Sequence, residues 1–127
     1  MNGKDIVLDT NILLYFLNGD SNVRQFLDDY NPILSFVSEL ELLSAPEISE
    51  AGKLFIKELL EDITIIKYSE EHKEDIIKLR AAKKLKLPDA IIAALSITLG
   101  VPLIAADNAL RNIQWTDVVF YKTPDNG

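Results

Sequence analysis

Four acidic residues occupy similar positions relative to the predicted strands and helices. Asp9 and Asp107 each follow a short apolar strand directly. Glu41 lies one turn into the helix after the second strand, and Asp89 lies in the first turn of the most apolar helix. If the strands are parallel, the first, second and fourth strands end at one edge of the sheet, where ligands bind in such folds. We therefore expect Asp9, Glu41 and Asp107 to converge there, with Asp89 reaching them from the start of its helix.

Four carboxylates in one place would have a definite chemistry. Their mutual repulsion raises their pKa values unless they share a cation. Oxygen ligands without histidine or cysteine suit Mg²⁺ or Mn²⁺. Such ions promote phosphodiester hydrolysis, because one lowers the pKa of an attacking water and another stabilises the leaving oxygen. His72 is the only histidine and is predicted to lie solvated on an exposed charged helix, which makes a metal-bound hydroxide the more economical nucleophile.

Three of these acids also have a purely structural interpretation. Asp9 and Asp107 precede predicted helices and can act as N-caps. Asp89, near a helix start, is favourable with the helix dipole in any case. Capping alone therefore explains each of them when it is taken singly.

Glu41 is harder to explain by capping. It lies between Leu40 and Leu42 in an apolar helix, and a carboxylate facing the sheet edge there needs a partner. Glu39, two positions earlier, points elsewhere and is expected to face solvent. Spacing alone leaves open which of the two glutamates faces the sheet edge.

The elements that would position these acids alternate along the chain. Apolar runs and turn residues predict strands over 4–8, 33–37, 63–66, 101–105 and 118–121. Helices are predicted over 10–17 and 22–29, from a cap at Ser38, over 47–60 after a capping box at 44–47, from 69 to the lysines at 83–84, over 87–99 and briefly after 107. This alternation predicts a three-layer α/β/α fold with a central parallel sheet of four to five strands.

Length and composition are those of an ordinary globular protein. The 127 residues are expected to form one domain, residues 1–127, and are 48% apolar and 26% charged. The absence of cysteine excludes disulfides and thiolate metal sites. We recognise no signal peptide, and the apolar runs are too short to span a bilayer. The expected location is the cytoplasm, without a membrane partner.

The charge is segregated along the chain. A net charge of −7 argues against a broad basic surface for nucleic acid. Between 78 and 86, however, only basic residues carry charge, and they are Lys78, Arg80, Lys83, Lys84 and Lys86. Because this cluster precedes Asp89, Arg80, Lys83, Lys84 and Lys86 are candidates for binding RNA phosphates. The cationic end of a helix is an equally good interpretation.

Four segments, in this order and at suitable separations, resemble the successive motifs of PIN domains, most closely those of VapC-type ribonuclease toxins. The segments read VLDTN at 7–11, SFVSELEL at 35–42, LPDA at 87–90 with AA at 93–94, and PLIAAD at 102–107. Any one motif is weak, but four in order cover nearly the whole chain.

The resemblance implies a PIN-like fold and an Mg²⁺- or Mn²⁺-dependent ribonuclease, usually dimeric and often inhibited by an antitoxin protein. The family's catalytic and metal-binding acids fall on Asp9, Glu41, Asp89 and Asp107. The family's hydroxyl three residues before the second acid falls on Ser38, which selects Glu41 over Glu39. Thr10, Asn11 and Ser38 would hold the acids in position without binding the metal ion themselves.

Two departures from the pattern leave room for a different function. Ala105 stands where many members have serine or threonine, and Ser44 where glycine often follows the glutamate. A non-catalytic PIN-like module that binds RNA or a protein therefore remains an alternative. A phospho-accepting receiver domain fits less well, because a single Asp9 follows the first strand, no aspartate directly follows 63–66, and Lys122 stands without the other parts.

Overall fold

The computed structural model describes residues 4–67, 70–83, 85–111, 113 and 116–121, with only the backbone of Lys83. Its strands are β1 (Asp5–Leu8), β2 (Asn31–Ser35), β3 (Thr64–Ile66), β4 (Leu103–Ala105) and β5 (Val118–Phe120). Its α-helices are α1 (Thr10–Leu17), α2 (Ser21–Leu27), α3 (Phe36–Ser44), α4 (Glu50–Leu60), α5 (Lys73–Lys83) and α6 (Leu87–Leu99). Two short 3₁₀ turns cover Glu70–His72 and Asn108–Leu110.

The five strands form one parallel sheet in the order β3-β2-β1-β4-β5. β1 lies in the middle, and its residues Ile6, Val7 and Leu8 are fully buried because helices cover both faces of the sheet. Val7 packs in a core with α5 and α6, whereas Ile6 and Leu8 pack in a second core with residues of α1 to α4. The predicted three-layer α/β/α fold with a parallel sheet is thus confirmed.

The predicted start of α3 was wrong by three residues. Ser35, the last residue of β2, is the N-cap, and its hydroxyl accepts the N–H of Val37 at 3.1 Å. Ser38, predicted as the cap, is instead fully buried inside the helix. β2 passes directly into α3 without a loop. The sequence therefore contains no turn residue between Ser35 and Phe36 that would mark the boundary.

Two further local predictions were wrong. The helix predicted from Glu47 begins only at Glu50, with Ser49 as its cap, because the N–H of Ile48 bonds to the Ala45 carbonyl and closes a turn first. His72 is 6% exposed rather than solvated, because the turn that carries it packs against α6. The predicted end of α6 is confirmed: Gly100 follows it with a φ of +67°, a conformation that favours glycine.

Within the described residues, none of the helices combines the length and the apolar character that crossing a membrane requires.

Candidate active site at the carboxyl edge of the sheet

The register of the sheet brings distant segments to one edge. Val7 of β1 pairs with Ile33 of β2, and Leu8 pairs with Ile104 of β4. The residues that follow these three strands therefore lie side by side where helices begin. Helix N-termini direct unpaired N–H groups and positive partial charge to this edge, which favours acidic side chains there.

Asp9 connects the ends of β1 and β4. It is 3% exposed, and its Oδ1 accepts the N–H of Ile12 at 2.9 Å as the N-cap of α1. Its Oδ2 accepts the N–H of Ala106 at 2.9 Å. Burial raises the pKa of Asp9 above its usual range, while the N–H groups of Ile12, Ala106 and Asp107 act in the opposite direction. These donors hold the carboxylate in one orientation at the edge of the sheet.

Glu41 is held from α1. The hydroxyl of Thr10 donates to Glu41 Oε1 at 2.7 Å and also shares a hydrogen bond of 2.9 Å with the hydroxyl of Ser38. Ser38 is fully buried, so this chain of hydroxyls extends from the protein interior to an exposed carboxylate. Thr10 and Ser38 thereby restrain the position of Glu41, and Glu39 on the same helix faces a different depression beside Lys67.

Asp89 and Asp107 complete the acidic edge. Asp107 is the N-cap of the turn after β4, and its Oδ1 accepts the N–H of Ala109 at 2.9 Å. Asp89 lies in the first turn of α6 and is half-buried. Burial, together with the negative charges of Asp107, Asp9 and Glu41, raises the pKa of Asp89 to about 6, and Lys86 acts in the opposite direction. The four acids are therefore close enough to influence one another electrostatically.

All four carboxylates line one cavity of about 820 Å³. Thr10 and Asn11 line it as well, and Lys86 is the only cation among the described lining residues. Arg80 lies on the exposed side of α5 and does not line this cavity. Lys84 and the side chain of Lys83 lie outside the described residues. Of the predicted phosphate ligands, the structure thus brings Lys86 to the acids and leaves Arg80 apart.

The donor set has the chemistry, but not the close arrangement, that a hard divalent cation requires. It consists of carboxylate oxygens alone, and the charge repulsion that raises the pKa of Asp89 would be relieved by a cation between the acids. Within the described residues, no group of three or more acidic, histidine or cysteine side chains is arranged so that it could hold a metal ion. The acids thus surround the cavity rather than meet at a single point.

Sequence reasoning missed part of the cavity wall. Leu14 and Asn18 continue the lining along α1, and the segment 44–48 between α3 and α4 forms another part of it. The spacing of Asn11, Leu14 and Asn18 at i, i+3 and i+7 places them on one face of the helix. That pattern was available in the sequence, but only the fold shows that this face lines the cavity, with Leu14 also packing against the second core.

The comparisons with known proteins agree with this architecture. The family model described as "PIN domain" matches residues 6–115. A toxin-antitoxin complex from Klebsiella pneumoniae contains a chain that is 27% identical, with a TM-score of 0.81 over 93% of this chain and 99% of that one. No curated protein sequence matches the chain at a significant level.

Two other solved structures share the fold at lower identity. One is VapBC2 from Rickettsia felis bound to a DNA fragment from their promoter, with 18% identity, a TM-score of 0.80 and coverage of 93% of this chain and 99% of that chain. The other is DNA-bound VapBC from Salmonella typhimurium, with 16% identity, a TM-score of 0.78 and coverage of 91% and 97%.

Proposed function

Because the chain belongs to the PIN domain family, we propose that it is a divalent-metal-dependent endoribonuclease and the toxin of a toxin–antitoxin pair. The observation that carries the proposal is the set of four carboxylates around one cavity, close enough to shift the ionisation of Asp89. Asp9, Glu41, Asp89 and Asp107 would hold Mg²⁺ or Mn²⁺. When bound, the ion supplies an activated water and neutralises charge that develops on the phosphate.

The chain's own residues then have separable tasks. Asp9 is fixed by backbone N–H groups and keeps one orientation. Thr10 and Ser38 orient Glu41. Lys86, the lining cation, would bind a phosphate of the RNA, and Arg80 with Lys83 and Lys84 would contact more distant phosphates. Asn11, also on the lining, would face the substrate rather than the acids.

Helix α3 offers a matched pair of variants for the central test. Glu41→Gln removes a carboxylate from the cavity, whereas Glu39→Gln removes one from the other side of the same helix. With Mn²⁺ present, we expect Glu41→Gln to cleave single-stranded RNA about 100-fold more slowly and Glu39→Gln to cleave at the wild-type rate. Equal rates for both variants would contradict the proposed site.

A non-catalytic module that binds RNA or protein is the second candidate. The observation in its favour is that, in the described part of the chain, no three potential ligands are arranged to hold an ion. Calorimetric titration with Mn²⁺ separates the two functions. Binding that disappears in Asp9→Asn and Asp89→Asn supports the nuclease, and a wild-type protein that binds no Mn²⁺ and cleaves no RNA supports the module.

The solved relatives suggest the partners. The Klebsiella pneumoniae relative is part of a toxin-antitoxin complex. We therefore propose that this chain forms a homodimer in the cytoplasm and that an antitoxin protein binds to it. A net charge of −7 and a cavity walled by carboxylates suit a partner that offers a basic side chain. Co-purification with the product of the neighbouring reading frame, and the molar mass of the complex by light scattering, test both assignments.

A further inference from the structure

Part of the cavity lining comes from α1 and carries no acid. Asn11, Leu14 and the C-cap residue Asn18 line the cavity from one face of this helix, and we call them the α1 wall. Asn18 stands seven positions after Asn11, which corresponds to about 10 Å along the helix axis. Because Asp9 caps the start of α1, the α1 wall extends away from Asp9.

Another part of the lining comes from the turn between α3 and α4, which contributes the apolar Pro46 and Ile48 and the acid Glu47. The one described cation of the lining, Lys86, stands at the start of α6 instead. Neither the α1 wall nor this turn offers a phosphate a positive side chain from the described residues. An uncharged, flat group with polar edges suits these residues better.

The side-chain amides of Asn11 and Asn18 are available for hydrogen bonds with a ligand. Within the described residues, no hydrogen bond is formed by the side chains of Asn11 and Asn18, and both residues are exposed. The backbone of Asn18 is fixed, because its N–H bonds to the Leu14 carbonyl at 3.0 Å. Each amide carries donors and an acceptor, which is the combination that pairs with the edge of a nucleobase. Single-stranded RNA exposes such edges.

We propose that Asn18, together with Asn11, binds the nucleobase next to the scissile phosphate and thereby sets a sequence preference. The inference rests on the proposed nuclease function and names a subsite of the same cavity. Leu14, Pro46 and Ile48 supply the apolar surface on which the base lies. Lys86 and the four acids, which line the same cavity, serve the phosphate.

A binding experiment tests the subsite without requiring catalysis. The side-chain amide signals of Asn18, assigned with Asn18→Ala, are followed by ¹⁵N NMR during titration of the wild-type protein with RNA trinucleotides of different sequence in EDTA. We expect these signals to shift, and the affinities for different trinucleotides to span about tenfold. Asn18→Ala should reduce that span to within about twofold. Gln25→Ala, an exposed amide on α2 outside the cavity, should preserve it.

Cleavage of the same sequences with Mn²⁺ separates this inference from the nuclease assignment. Sequence-dependent binding that Asn18→Ala abolishes, with no cleavage by the wild type, overturns the nuclease and keeps the base contact. Cleavage with the same sequence preference in Asn18→Ala overturns the base contact and keeps the nuclease. Unshifted Asn18 signals with every trinucleotide also overturn the base contact.

Discussion

A buried aspartate lies at each end of β1, and the two carboxylates differ in the hydrogen bonds that they accept. Asp9, at the carboxyl end, accepts N–H groups with both oxygens. Asp5, at the amino end, is 8% exposed, and its Oδ1 accepts the side-chain amide of Asn31 at 3.3 Å. No described group donates to its Oδ2, which is buried.

The difference follows from the direction of the strands. In a parallel sheet with helical crossovers, helix N-termini and their free N–H groups lie at the carboxyl edge, and helix C-termini with free carbonyls lie at the amino edge. A carboxylate therefore finds donors at the first edge and lacks them at the second. At similar burial, both oxygens of Asp9 therefore accept hydrogen bonds, whereas Asp5 keeps a buried oxygen to which no described group donates.

The largest expected contrast is in activity. Asp9→Asn should lower Mn²⁺-dependent RNA cleavage by roughly 100-fold or more, because it removes a carboxylate from the proposed metal-binding set. Asp5→Asn should leave the rate unchanged, since Asp5 does not line the cavity. Circular dichroism of both variants establishes that they are folded. An Asp9→Asn variant with wild-type activity would contradict the proposed difference in function between the two ends of β1.

A smaller effect concerns the charge crowded at the carboxyl edge. The pKa of Asp89 is raised from 3.8 to about 6 in the folded protein, so its ionised form destabilises the fold above that pH, and the cost is relieved as the pH falls from 6 towards 3.8. The full shift corresponds to ~3 kcal/mol, which the partial exposure of Asp89 reduces to about 1 kcal/mol.

Asp89→Asn, without divalent ions, should therefore increase the free energy of unfolding by about 1 kcal/mol at pH 7.5 and hardly at all near pH 4. Urea denaturation at the two pH values measures this difference. Asp117→Asn, an exposed aspartate before β5 at the other edge, is the control and should change little at either pH. A gain for Asp89→Asn that grows on acidification would contradict the repulsion among the four acids.

The smallest effect is expected at the amino end of β1. Asp5→Asn keeps an oxygen for Asn31 and removes the buried Oδ2, to which no described group donates, so the free energy of unfolding at pH 7.5 should rise by about 1 kcal/mol. The same substitution at Asp9 should lower it, because an amide NH₂ would then face one of the backbone N–H groups. Urea denaturation of both variants compares the signs, and equal signs would show that the edge of the sheet does not matter.

Much of the fold was accessible from the chain itself. Uninterrupted apolar runs predicted strands buried on both faces, and their alternation with helices predicted the parallel sheet. The predicted starts of α3 and α4 were wrong because more than one residue could act as the N-cap. Ser35 and Ser38 are both plausible N-caps of α3, and Ser44 and Ser49 are both plausible N-caps of α4. Such choices depend on which helical face becomes buried, and this is not a property of the local sequence.

The same distinction applies to the site. The sequence by itself determined that Asp9 and Asp107 follow buried strands, because strand direction and burial are written in the local pattern of apolar residues. The spacing of Glu39 and Glu41 left their orientation open, and the resemblance to PIN domains selected Glu41, which the structure places on the cavity lining. Only the tertiary structure decided that His72 is buried and that Asn18 continues the wall. Those outcomes depend on how helices pack against one another over long separations in the chain, which no single segment specifies.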